Sequence, residues 1–145
     1  MPACLFSQEV NTSTRKNENN IYYQALRKYI ELRQNKYGDK SDTFFIKYIS
    51  DVTDSLLATC NGVKLIQLNE AEMEDYLKMR KWIGVIGIHP LNYDKGEFFI
   101  MITSFTIGYK YKKYNSLVGR NYSMFFSYDQ GKFSYKREGE FDKYP

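Results

Sequence analysis

From residue 21 the apolar positions recur every three to four residues, at Tyr22, Ala25, Leu26, Tyr29 and Leu32, with Arg33 on the same stripe. That spacing places them on one side of a helix over 21–36, with Asn20 as its cap and Tyr37-Gly38 as its stop. Arg27, Lys28, Glu31 and Gln34 cover the opposite, solvated side. The period then shortens. Phe44 to Ile49 is a short β-prone run, and a connection over 51–59 leads to Asn61-Gly62 and the apolar run Val63 to Leu68. Asn-Gly between apolar runs is a hairpin signal, because a type I′ turn needs positive φ at both central residues. A second helix follows over 70–81, capped by Asn69 with Glu72 three residues on. Met73, Tyr76, Leu77 and Arg80 form its inward stripe.

The remaining pattern is that of strands. Residues 82–88 form one, closed by His89-Pro90 and the turn-rich 92–96. A long strand over 97–111 alternates Phe99, Met101, Thr103, Phe105, Ile107, Tyr109 and Tyr111 against the residues between them. Residues 115–121, with Gly119, read as a loop, and 122–128 and 132–137 as a closing hairpin around Asp129-Gln130-Gly131. The expected fold is therefore α+β, with both helices packed on one face of an antiparallel β-meander sheet. In that arrangement Ala25, Leu26, Tyr29 and Leu32 meet Val85, Ile100, Ile102 and Phe125.

The start of the chain follows neither period. Met1 to Gln8 is small and apolar, and 9–20 is almost wholly polar, too poor in apolar surface to offset its ordering entropy. Residues 1–19 thus read as a leader, with a single domain over 20–145. The apolar stub has the character of a signal-peptide remnant ending at Ser7, with Gln8 as the mature start. That reading places the protein in the periplasm or outside the cell; an ordinary disordered leader places it in the cytoplasm.

Composition sharpens this picture in two places. Of 145 residues, 14 are Tyr and 10 are Phe, an excess that suits a pleated, half-buried surface. A net charge of +4 is only mildly basic, below the level at which nucleic acid becomes the default partner. No stretch approaches the roughly 20 apolar residues of a membrane span.

Leu5-Phe6-Ser7-Gln8 as a signal tail, Tyr22-Tyr23 opening the first helix, and Ile86-Gly87-Ile88-His89-Pro90 before a long strand form a pattern. Phe126-Ser127-Tyr128-Asp129 with Lys132-Phe133 completes it near the end. It resembles small exported proteins of Gram-negative bacteria that carry no assigned function. The resemblance implies export and supplies no catalytic residues.

Candidate chemistry is sparse. His89 is the one histidine, so a Cys–His or Ser–His pair would have to use it, and its place before Pro90 suits a turn residue. One His and two Cys give no zinc-ligand spacing, and no cofactor is expected. Cys60 lies beside a turn with no Lys or His next to it in sequence, and reads as a small, partly buried apolar residue. Gly84 and Gly87 fall within a strand and open no helix, so they mark a bulge or a close approach to the sheet instead of a nucleotide loop. Glu70, Glu72, Glu74 and Asp75 crowd a helix start, where the helix dipole already favours them.

Two functional classes follow. The first is a non-enzymatic protein-binding domain of the cell envelope, or an immunity-type partner protein. Its contact run would be Lys110, Tyr111, Lys112, Lys113 and Tyr114, facing an acidic protein partner. The second is a small-ligand carrier or small enzyme with a pocket between helix and sheet, near Trp82 and His89. A filled core under the first helix favours the first class, and a deep cavity there favours the second.

Overall fold

The computed structural model describes residues 19–110 and 113–141; the leader, apart from residue 19, lies outside them. Helix α1 is Ile21–Lys36, and the Asn20 side chain accepts hydrogen bonds from the backbone N–H groups of Tyr22 and Tyr23. Strands β1 (Thr43–Lys47), β2 (Thr59–Cys60) and β3 (Val63–Leu68) precede helix α2 (Glu70–Met79). Then come β4 (Trp82–Ile88), β5 (Asn92–Asp94), β6 (Glu97–Lys110), β7 (Lys113–Asp129) and β8 (Lys132–Phe141). The α+β class holds.

The sheet itself is mixed. Its order is β2-β3-β1-β4-β6-β7-β8, with β5 paired to β6. The C-terminal part is the expected antiparallel meander, but β1 lies parallel to both β3 and β4. Helix α2 links β3 to β4 on either side of β1, and a connection that contains a helix can carry the chain back to run parallel; β1 reaches β3 through the turns after it and β2.

The helices also do not share a face. Beneath α1 lie Ile46, Ile86, Ile88, Ile100, Ile102, Tyr122, Met124 and Phe126, in one cluster with Ala25, Leu26, Tyr29 and Ile30. Met73 and Leu77 of α2 pack instead with Leu68, Ile83 and Val85. Because strand side chains alternate, Ile86 and Val85 belong to opposite faces. The expected contact of α1 with Val85 and Phe125 is thus wrong by one residue on each strand. Val85 turns to α2, and Phe125 points to the side away from Met124 and Phe126.

Three hairpins share one turn. Asn61-Gly62, Lys95-Gly96 and Gln130-Gly131 all have positive φ, between 50° and 81°, at both central residues. The expected loop over 115–121 is part of β7: Asn115 faces Gly108 and Val118 faces Phe105 across the β6–β7 ladder. The ladder slips between Thr103 and Phe105, where Ser104 and Gly119 meet. A Cβ at Gly119 would collide with the Ser104 Oγ, so no other residue fits this bulge unchanged.

Candidate functional site

At the C-terminal end of α1 the helix's last turn becomes one wall of an open cavity of about 370 Å³. Tyr29, Arg33, Tyr37 and Asp39 come from α1 and the turn behind it; Ser104 comes from β6, and Arg120 and Tyr122 from β7. Arg33 falls one turn after Tyr29 on the helix's inward stripe, and its guanidinium lies over the Phe44 ring, 5.8 Å from its centroid, at the cavity. There its Nε and Nη2 donate to Asp39 Oδ2 at 3.1 and 2.7 Å, and Nη1 donates to the Tyr29 hydroxyl at 3.1 Å. Burial alone would depress Arg33, but Tyr29 and Asp39 outweigh it and hold the guanidinium above its ordinary pKa. Asp39 is pushed up by burial and more strongly down by Ser41 and Arg33, so it stays ionised.

The opposite wall is a second arginine–phenol chain. Arg120 Nη1 donates to the Tyr37 hydroxyl at 2.8 Å, and the hydroxyls of Tyr37 and Tyr122 stand 2.5 Å apart. Tyr122 is buried and meets the Tyr29 ring edge-on at 5.9 Å, which ties the two chains together through packed rings. The hydrogen bond to Tyr122 draws the Tyr37 pKa below its ordinary value, and the charges of Lys36 and Arg120 add to it. The arrangement gathers two guanidiniums, two phenols in a hydrogen-bonded pair and, among the described lining residues, one carboxylate.

No family model, curated protein or solved structure matches this chain. The site's chemistry therefore rests on its own geometry.

A second hollow, of about 360 Å³, lies between α2 and the sheet. Met73, Leu77, Val85, Phe105 and Ile107 make it apolar, and Lys47, Glu70 and Glu74 also line it. Gly87 shapes its floor: a Cβ there would come within 2.6 Å of the Phe105 ring, so the glycine serves a close approach by that ring.

The residues singled out from sequence are scattered. Trp82 is 63% exposed at the start of β4, while His89 lies just past the strand's far end. His89 Nε2 and the Thr103 hydroxyl share a hydrogen bond of 2.9 Å, and burial, with Lys47 nearby, lowers the imidazole's pKa. Lys110 and Lys113 are the last Cα pair of the β6–β7 ladder. The single long strand expected over 97–111 ends there, and Tyr111 and Lys112 lie outside the described residues; Tyr114 pairs with Tyr109 in the ladder. Cys60 is 2% exposed and its thiol is raised by burial, so it is an inert core group. The acidic run at α2 is a cap: Asn69 Oδ1 accepts from the Glu72 N–H, and Glu72 Oε1 accepts from the Asn69 N–H. Among the described residues no group of His, Cys, Asp or Glu could hold a metal ion, and no helix is long and apolar enough to cross a membrane.

Sequence reasoning missed Arg33, Tyr37, Arg120 and Tyr122 as a group. One signal was present: an arginine on an otherwise apolar helical stripe, one turn after a tyrosine, must find polar partners.

Proposed function

We propose that this chain is a non-enzymatic protein-binding module, of the envelope-interaction or immunity type, that docks an acidic protein partner. The observation that carries this reading is where the polar groups converge. The space beneath α1 is filled, with Ala25, Leu26 and Ile30 at 0% and Tyr29 at 1% exposure, and the arginines and tyrosines gather in the open at the helix end. A carrier or enzyme needs an enclosed cavity at such a convergence, whereas a docking surface needs it exposed. Arg and Tyr are also the residues that interface centres favour.

The test is co-expression with the products of the flanking genes, followed by binding kinetics of any complex at low and high salt. Charge reversal at Lys110, Lys112 and Lys113 should slow association and weaken its salt dependence, as a steering surface does. A complex that forms at the wild-type rate in the triple variant would remove the basic hairpin end from the interface. The export half of the proposal rests on the apolar stub, and mass spectrometry of native protein should then find a start near Gln8. Intact Met1 in cytosol would exclude it.

The apolar hollow beside α2 favours a second reading, a carrier of small apolar ligands. In that case an apolar fluorescent probe should bind the wild type and be lost in Ile107→Glu.

A further inference from the structure

Two hairpin turns, Lys95-Gly96 and Gln130-Gly131, close the same end of the sheet, because β6 begins where its partner β7 ends. Beside them stand Tyr93, Phe98, Tyr128 and Phe133. We infer that these four rings are a docking surface for a proline-rich segment of a protein partner in the polyproline II conformation. The inference rests on the protein-binding reading above and adds a contact whose chemistry differs from that of the basic hairpin end.

Alternation and register put the rings on one face. Tyr93 pairs with Phe98, Phe98 with Phe126, and Tyr128 with Phe133. Tyr128 lies two residues from Phe126 along β7, hence on the same side. Phe98 and Phe133 are half-buried against the α1 core, which anchors the cluster. Tyr93 and Tyr128 stand out from it at 59% and 54% exposure, so the four form a contiguous patch where a lone surface ring would mean nothing. The ring geometry says what fits. Centroids are 4.8 Å apart for Tyr93–Phe98, 5.4 Å for Phe98–Phe133 and 4.7 Å for Tyr128–Phe133, with planes inclined by 54°, 83° and 57°. Such inclines make ridges with clefts between them, and a flat base or sugar ring finds no extended platform there. Proline rings are small and stiff and suit clefts between aromatic rings. Hydrogen bonding agrees. A proline-rich polyproline II strand has unpaired carbonyls and few N–H groups, so it needs donors. The Tyr93 and Tyr128 hydroxyls are donors with no hydrogen-bond partner among the described residues. Charge agrees too. One turn carries Asp94 and Lys95 and the other Asp129 and Lys132, an equal number of acids and bases that leaves no net charge to draw a phosphate backbone or an anionic lipid surface. An uncharged ligand suits that balance, and a stiff one loses little entropy on docking.

Isothermal titration of the full chain with a short polyproline peptide tests the inference, beside a Gly-Ser peptide of equal length, cellohexaose and phosphatidylcholine vesicles. The variants are the pairs Tyr93→Ala with Tyr128→Ala and Tyr93→Phe with Tyr128→Phe, with melting curves to check folding. The polyproline peptide should bind the wild type and the Gly-Ser peptide should not. The alanine pair should weaken polyproline at least about tenfold, through the lost rings. The phenylalanine pair should weaken it by roughly threefold to tenfold, through the lost hydroxyls, and carries the test if the alanine pair does not fold. Equal affinity for the wild type and both pairs overturns the site, as does absence of binding to the wild type. Cellohexaose or vesicles bound at lower concentration than the peptide would make this a sugar or membrane surface and overturn the proline-rich partner. The two readings fail separately. No polyproline binding by a chain that still captures a flanking-gene partner overturns this contact alone. Polyproline bound through these tyrosines by a chain that captures no such partner upholds the contact and overturns the acidic-partner reading.

Discussion

Arg33 shows how one residue serves fold and site together. It stands on the inward stripe of α1, and its charged head lies over the Phe44 ring while pairing with Asp39 at the cavity. Read from spacing alone, it counts as part of the buried stripe, and nothing in the sequence near it points to Arg120, which is brought close only by the β6–β7 ladder. That is why the site was hidden: its walls come from segments more than eighty residues apart, joined by a pairing register that local patterns do not encode. His89 was the opposite case, a residue whose rarity drew attention and whose environment explains it. Its hydrogen bond to Thr103 and its partial burial are structural, and they carry a pH consequence. The imidazole is harder to protonate in the folded chain than in the unfolded one. Stability is therefore whole above the unfolded value, about 6.5, and is lost as pH falls from there toward the folded value. His89→Asn should flatten that acid limb in denaturant titrations. An unchanged slope below about pH 6.5 would show that carboxylates alone set it.

The elements were legible wherever a local device defined them. Asn20 and Asn69 cap the two helices as expected, and Asn61-Gly62 turns the β2–β3 hairpin. The capping box of α2 has the reciprocal pair of bonds, at 2.9 and 3.2 Å. Asn69→Ala should cost about 1 kcal/mol by thermal or chemical unfolding, and Asn69→Asp only a few tenths, because the acceptor survives. Residues 115–121 failed for a physical reason. Asn, Ser and Gly there look like loop chemistry, yet these residues hydrogen-bond along β6, and pairing overrides intrinsic preference in a long ribbon. The parallel strands were missed although a sign was present: a helix between two strands, with no tight turn, is how chains return to lie parallel. That sign also decides the side on which α2 packs.

At the scale of the molecule, one sheet separates two cores. The larger lies under α1 and the smaller under α2, with β1, β3 and β4 contributing alternate residues to each. The reading of one apolar layer under both helices treated the strands as one-sided, but Phe44-Phe45-Ile46 and Val85-Ile86 are apolar on consecutive positions, as doubly covered strands are. Two cores on a shared backbone should be energetically independent yet unfold together. Leu26 is fully buried in the first cluster and Leu77 is 7% exposed in the second, and they share no packed neighbour. Leu26→Ala should cost about 2–5 kcal/mol and Leu77→Ala about 2 kcal/mol, by the removal of buried methyl groups and the cavities left behind. Their sum should match the double variant to within about 0.5 kcal/mol, because separated sites add. A single unfolding transition should nonetheless persist in each single variant, since losing either helix exposes strands that both cores need. If Leu77→Ala instead produces an early separate transition, with hydrogen exchange quickened only in α2 and β3, the smaller core is a local unit and the sheet does not bind the two together.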